Sequence, residues 1–345
     1  MKLCVKIEKR LDGFTLCTEF ETAGETLALL GASGAGKSMT LRCIAGIERP
    51  DSGRIVLNDR VLFDSAQGIN LPPQKRRVGY LFQNYALFPH MTVEQNILAG
   101  AAGKDRAARQ AAARGLIERF GLTGLERRRP RELSGGQQQR AALARILASE
   151  PELLLLDEPL SALDEHLRWQ VELELADTLR SFPGGAVYVS HDREEVFRLC
   201  DTVCVLDGGR SGKKTTVPEL FAAPASVGEA RIAGCQNISR VKVEPNGMLH
   251  CLDWGVTLRT ARPQKESTCF AGVRSRDLHI ASRENEIACV VERTVEDVNS
   301  TIALCRTPGG GLLRAAFSKE EWIALGAPRE LTLSVDPQNV LPLME

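Results

Sequence analysis

Gly31-Ala32-Ser33-Gly34-Ala35-Gly36-Lys37-Ser38 is the stretch on which the reading of this chain turns. It fits Gly-x-x-x-x-Gly-Lys-[Ser/Thr], the pattern of a loop that cradles phosphate. Thr26-Leu-Ala-Leu-Leu30 before it has the composition of a short buried strand, and Met39-Thr-Leu-Arg-Cys-Ile-Ala45 after it reads as the first turns of a helix. A loop delivered by a strand and left by a helix can aim consecutive backbone N–H groups at an anion lying on the positive end of the helix dipole. The small residues let the backbone wrap a polyphosphate. Lys37 is placed to bridge the β- and γ-phosphates, and Ser38 to offer its hydroxyl to Mg²⁺. The expected ligand is a nucleoside triphosphate.

Working outward, the 345 residues imply two domains at roughly 150 residues each. Lysine plus arginine equals aspartate plus glutamate at 44 each, with 14 of each sign from Arg231 onward and 30 of each before it. Neither half carries the basic excess of a nucleic-acid binder, so no nucleic-acid partner is expected. No apolar run reaches the roughly 18 residues that span a bilayer. The N-terminus, Met1-Lys-Leu-Cys-Val-Lys-Ile-Glu-Lys-Arg10, is charged and alternating, which is a strand start and not a signal peptide. The ten cysteines form no Cys-x-x-Cys pair; Cys200 and Cys204, the closest two, read as small buried hydrophobes. A soluble, reduced, cytoplasmic chain is the expectation.

Residues 1–24 alternate (Leu3, Val5, Ile7; Phe14, Leu16) about an Asp12-Gly13 turn, predicting a hairpin. Apolar strands are expected at Arg54–Asn58, Val78–Phe82, Leu153–Asp157, Ala186–Ser190 and Thr202–Leu206. Residues 92–130 change to Ala-, Arg- and Glu-rich helical spacing, and a helix opens after Leu133-Ser-Gly-Gly-Gln137. A further helix runs from about Asp164 to Arg180. Short apolar runs alternating with longer helical patterns mean a largely parallel sheet covered on both faces. From about Cys235 the texture becomes all-β: strand-like pieces at Val256–Arg259, Ala288–Arg293, Ile302–Cys305 and Leu331–Val335 alternate with Gly, Pro and Asn turns, the signature of a small barrel. The linker is the stretch near Pro218–Pro224.

A triphosphate site needs more than a loop. The run Leu153–Glu158 is an apolar strand ending in two carboxylates. Asp157 is positioned to hold Mg²⁺, and Glu158 to polarise an attacking water. Gln83 ends a different strand within reach of the same metal and water. His191 ends a third strand, at the edge that faces the ligand crevice of an open α/β sheet. Ser134, Gly135, Gly136 and Gln137 open a second helix with a second anion site. One chain cannot easily bring two distant helix N-termini onto one triphosphate, but two chains arranged head to tail can.

Gly31–Ser38, Gln83, Leu133–Gln137, Leu153–Glu158, Ser161–Asp164 and His191 follow the order and spacing of the ATP-binding cassette ATPases, which the first 230 or so residues therefore resemble. The resemblance implies an α/β P-loop NTPase fold, a mixed sheet with a helical subdomain at about 92–150. It implies ATP and Mg²⁺ as cofactors, with Ser38, Gln83 and Asp157 on the metal. It further implies hydrolysis in a nucleotide-sandwiched homodimer, with Glu158 as general base, His191 at the γ-phosphate and Ser134, Gly135, Gly136 and Gln137 acting in trans. Phe14 is the candidate for stacking on adenine. The segments Arg49–Asn58, Leu71–Gln83 and Leu87–Val93 look like the importer ATPases of the molybdate, sulfate, spermidine and maltose group, and the lengths and the sequence around Val61–Arg77 look closest to the molybdate one. Those work at the cytoplasmic face of the cell membrane with integral-membrane permease subunits and, indirectly, a solute-binding protein. They carry a small barrel regulatory domain of the TOBE/MOP or OB kind, expected here at residues 235–345. A soluble cassette protein acting on ribosomes or DNA would be expected to show two cassettes, sustained heptads or a basic patch, none of which the sequence contains. Where similar barrels bind an oxyanion through Ser-x-Arg-Asn, this chain has Ser282-Arg-Glu-Asn-Glu-Ile287, with Glu284 at the arginine's place. Weak or no oxyanion binding is expected there.

Overall fold

A computed structural model describes residues 1–101, 105–265, 267–280 and 284–345, apart from the side chain of Glu165. The chain forms two compact units, Met1–Val217 and Pro218–Glu345.

The first unit is built on one mixed sheet. Its core is five parallel strands in the order Thr202–Asp207, Thr26–Gly31, Gly185–Ser190, Leu153–Asp157 and Val78–Leu81. Their near-continuous Val, Leu and Ala runs fit strands covered on both faces; Leu27, Leu29, Leu153, Leu155, Val187 and Val189 are all at 0% exposure. The hairpin Leu3–Leu11 and Phe14–Thr22, turning at Gly13 with φ 96°, pairs antiparallel and alternates buried with exposed residues because one face meets water. Strands Ser52–Leu57 and Arg60–Asp64 extend that antiparallel wing. Helices Val93–Gly100, Arg106–Arg119 and Gly135–Leu147 form the helical part expected at about 92–150. The helix Glu165–Ser181 follows the Leu153–Asp157 strand, and Arg193–Leu199 follows Gly185–Ser190.

Among the described residues, the strands of the second unit's two sheets pair antiparallel throughout, accompanied by three short helices and two single 3₁₀ turns. Two five-stranded sheets, one running Val256–Leu258, Leu249–Cys251, Asn237–Val243, Phe270–Val273, Leu341–Leu343 and the other Leu278–Ile280, Glu330–Val335, Glu286–Glu296, Ser300–Arg306, Leu312–Ser318, share one core around Trp254, Leu258, Ala271, Leu313 and Leu333. This is the barrel-like all-β module expected after the cassette-like part. Residues 218–234, including the helix Val227–Ile232, belong to this unit: Val227 N–H donates to Met344 O at 3.0 Å, and Ala230 packs with Leu341 and Leu343. The expected boundary near 230 therefore lies inside the second unit.

Candidate active site

Every parallel strand of the first unit runs the same way, so the loops after Gly31, Leu81, Asp157 and Ser190 emerge along one edge of the sheet, the edge where open α/β folds place ligands. The phosphate loop reaches its helix through two left-handed glycines, Gly34 at φ 79° and Gly36 at φ 99°. Gly36 is the N-cap of Lys37–Ala45 and supplies no side-chain cap. A Cβ on Gly31 would lie 2.2 Å from Leu206 O, so only glycine lets the loop leave the sheet there. Lys37 is 95% buried, with Nζ folded over the loop and donating to Gly31 O at 2.7 Å and Ala32 O at 2.9 Å. Burial pulls its pKa down, opposed by the charges of Glu158 and Asp157.

Two of the residues expected on the metal, Ser38 and Asp157, meet in the same place. Ser38 Oγ donates to Asp157 Oδ1 at 2.7 Å, and Tyr80 OH donates to Asp157 Oδ2 at 2.8 Å. Asp157 ends its strand 95% buried, so its charge is held by two hydroxyls and the nearby Lys37. The donor set fits Mg²⁺: hard oxygens, a single carboxylate, and coordination left over for substrate phosphates. Among the described residues, no cluster of three or more His, Cys, Asp or Glu side chains offers a metal cage.

Glu158 follows in left-handed backbone, φ 47°, uncommon for a non-glycine residue and a form of strain that clusters at functional sites. Its N–H donates to Val189 O at 3.0 Å, and Ser161 closes the turn with Oγ donating to Glu158 O at 2.9 Å. The carboxylate then faces two other strand ends. Gln83 Nε2 donates to Glu158 Oε2 at 3.4 Å, and His191 Nδ1 lies 3.4 Å from Glu158 Oε1. Four sequence-distant strand ends thus converge on one carboxylate and one hydroxyl–carboxylate pair.

Ser134 stands apart. It caps Gly135–Leu147 in a capping box, with its Oγ accepting from Gln137 N–H and its own N–H donating to Gln137 Oε1 at 3.0 Å. Ser134 is exposed, and among the described residues no hydrogen bond joins Ser134, Gly135, Gly136 or Gln137 to the phosphate loop, Asp157, Glu158, Gln83 or His191. Phe14 is half-buried at the hairpin tip with its ring against Gly209, whose Cβ, if present, would lie 2.4 Å from the ring.

Three contributors escape a sequence reading. Tyr80 sits in an apolar strand and reads as core. Arg76 lies in the polar run Lys75-Arg-Arg77, yet it is fully buried and donates to Cys43 O and Ile44 O at 2.8 Å each, to Leu71 O at 2.7 Å and to Asn70 Oδ1 at 2.8 Å. It thereby closes the last turn of the phosphate-loop helix with a positive charge; burial lowers its pKa to about 10. Glu195, on the helix after His191, accepts from Ser190 Oγ at 2.9 Å and Tyr188 OH at 3.1 Å and braces that strand end, burial raising its pKa.

Comparison with known proteins gives the family. The ABC transporter family matches residues 20–161. The molybdenum import ATP-binding protein ModC of Rhodospirillum rubrum is 41% identical over 222 residues, 64% of this chain and 60% of that protein. The Fe(3+) ions import ATP-binding protein FbpC of Brucella abortus is 40% identical over 269 residues, 74% of both chains. The spermidine/putrescine import ATP-binding protein PotA of Methylococcus capsulatus is 37% identical over 317 residues, 88% of this chain and 81% of that one. Among solved structures, the dimeric post-hydrolysis state of the ATP-binding cassette MJ0796 bound to ADP and Pi shares the fold, with a TM-score of 0.53 and 24% identity over 63% of this chain and 99% of that chain. This chain belongs to the ABC transporter family, among its import ATP-binding proteins.

Proposed function

We propose that two copies of this chain close head to tail on ATP, hydrolyse it, and couple that closure to integral-membrane permease subunits that import a solute delivered by a binding protein. The observation that carries the reading is the meeting of Gln83, His191 and Glu158, beside a Ser38–Asp157 pair 2.7 Å apart, at the mouth of the phosphate loop. Backbone N–H groups of Gly34 to Ser38 hold the phosphates, and Lys37 leaves its two loop carbonyls to bridge the β- and γ-oxygens. Ser38 and Asp157, with Gln83, would hold Mg²⁺, which would supply positive charge against the phosphates. Glu158 takes the proton of the attacking water, oriented by Gln83, and His191 steadies the γ-phosphate. Ser134 to Gln137 serve the partner's nucleotide, and Phe14 stacks on adenine. The site belongs on the cytoplasmic face of the membrane, and no nucleic acid takes part.

Molybdate or a related oxyanion is the solute we propose, supported by the Val61–Arg77 segment and the ModC relative. Iron and polyamine are the competing readings, supported by relatives of similar identity. Uptake of each solute by cells lacking and then regaining the chain separates them.

Glu158→Gln tests the chemistry. It keeps the phosphate and metal contacts and removes the base, so ATP still binds, turnover falls to background and the variant collects as an ATP-bound dimer by size-exclusion chromatography. A Gln variant that stays monomeric in ATP and still turns over defeats the proposal.

A further inference from the structure

We infer that Arg145 is a positioning residue for Gln83. It clamps the loop that follows Gln83 to the helix that Ser134 opens, so the metal-and-water ligand a chain uses itself and the serine it lends its partner are set by one piece of structure. The inference rests on the catalytic reading above.

Arg145 lies on the third turn of Gly135–Leu147. Its guanidinium donates through Nη1 to Ala86 O at 2.8 Å and through Nη2 to Tyr85 O at 3.2 Å, and it sits 5.2 Å over the Phe88 ring. The two carbonyls belong to consecutive non-glycine residues in left-handed backbone, Tyr85 at φ 60° and Ala86 at φ 44°. Such a pair is strained and holds its shape only when its surroundings impose it. A planar fork that binds two adjacent carbonyls supplies that restraint, and a point-charge ammonium does not. Gln83 is two residues upstream of the clamped turn, and Tyr85 N–H donates back to Phe82 O at 2.8 Å, which carries the restraint to the strand end.

The rest of the loop is held by the same block. Asn96 Oδ1 accepts from Phe88 N–H at 2.9 Å, and its Nδ2 donates to Phe88 O, Met91 O and Thr92 O. Its helix, Val93–Gly100, lies so close to Gly135–Leu147 that a Cβ on Gly100 would fall 2.0 Å from Arg145 O. Residues 85–92 therefore move with the helical block, whereas Gln83 reaches across to Glu158 on the sheet. Among the described residues no carboxylate pairs with Arg145; its charged fork binds the loop carbonyls.

The test is a two-site comparison on the full chain with MgATP, measuring turnover at saturating ATP and ATP affinity. Arg145→Lys keeps the charge and the stem and loses the fork. Because misplacing a catalytic group by about an ångström costs on the order of 10- to 100-fold, Arg145→Lys lowers kcat by about tenfold or more with ATP affinity unchanged. Gln83→Ala lowers kcat as well, and adding Arg145→Lys to it costs no further activity, since both act through one group. Arg145→Ala follows the same pattern, and Arg145→Lys decides the matter if the alanine variant fails to fold. Wild-type turnover by Arg145→Lys, or losses that multiply when the two changes are combined, overturns the inference. If Glu158→Gln is inactive while Arg145→Lys is normal, only this inference falls; if Glu158→Gln or Gln83→Ala hydrolyses at the wild-type rate, the catalytic reading falls with it.

Discussion

The helices Lys37–Ala45 and Gly135–Leu147 both start from glycine-containing turns, yet the chain finishes their ends in opposite ways. Gly36 caps the first with left-handed backbone and no side chain, and residues far away in sequence complete its surroundings: Asp157 at Ser38, and Arg76 at the last turn. Ser134 caps the second in a box with its own neighbour Gln137, and the far end closes on local groups, with Ala148 N–H donating to Ala144 O and Ser149 Oγ to Ile146 O at 2.7 Å. The first N-terminus is embedded among charges from other strands; the second is self-sufficient and exposed at Ser134. A helix N-terminus alone is therefore not a nucleotide site. The Lys37 end becomes one because the helix's own lysine meets carboxylates brought by another strand's end; the Ser134 end would need another copy to bring the nucleotide.

The largest effect that sharpens this contrast is at Lys37. Lys37→Ala removes the buried cation of the embedded end and lowers ATP affinity of the monomer on the order of 100-fold, since a charge-assisted contact in a water-poor site is worth about 3 kcal/mol. Fluorescent-nucleotide titration reads this, and affinity within about threefold of wild type would mean that the loop binds through backbone alone. Next is Arg76. Arg76→Met strands buried carbonyls at the end of the phosphate-loop helix and destabilises the first unit by roughly 2–4 kcal/mol, read by denaturant unfolding. A neutral result would show that solvent replaces the guanidinium. Smaller is Ser134→Ala, which removes one N-cap for about 1 kcal/mol and leaves monomer ATP affinity as it was. A loss of monomer affinity matching that of Lys37→Ala would place Ser134 in its own chain's site and erase the contrast.

The smallest expected effect is in the second unit. There several charged groups pair with one another: Arg240 with Asp253, Arg306 with Glu292, and Arg259 with Glu284 at 3.6 Å. Asn285, the candidate oxyanion contact, sits at φ 55°, accepts from Arg259 N–H at 2.7 Å and donates to Arg259 O and Val335 O. Ser282 and Arg283 lie outside the described residues. A carboxylate about 4 Å from a dianion repels it by roughly 1 kcal/mol or more per charge pair even in water-like surroundings, so Glu284 opposes binding at this loop. Calorimetric titration of the full chain with molybdate, tungstate and sulfate in the absence of nucleotide gives no heat above dilution. Micromolar binding would show that the loop accepts an oxyanion despite Glu284 and would strengthen the molybdate assignment.

The site was legible in sequence to the extent that chemistry dictates spacing. A phosphate loop must sit between strand and helix, and a metal carboxylate at a strand's end, so Gly31–Ser38 and Leu153–Glu158 could be read directly. The expected strands of the second unit also recur, at Val256–Leu258, Glu286–Glu296, Ser300–Arg306 and Glu330–Val335. The strand Leu312–Ser318 and the helix Lys319–Ala324 between the last two are not among the expected elements: Ala315 and Ala316 blur the alternation of the one, and six residues are too few for the other to show a helical period. Tyr80, Arg76 and Arg145 stayed hidden for a different reason. Each acts on groups 30 or more residues away, and local pattern records a residue's own segment and not the carbonyls or carboxylates that folding brings to it.

The central claim is that one chain's embedded helix end and another chain's exposed one hold the same nucleotide, and mixing two inactive variants tests it most directly. In a mixed dimer of Lys37→Ala and Ser134→Arg chains, both defects fall in one composite site and the other site is intact. Each variant alone is expected to be near background in steady-state ATP hydrolysis, and the mixture to recover activity well above either. A mixture no more active than its components, with Ser134→Arg monomers also failing to bind ATP, would contradict the account.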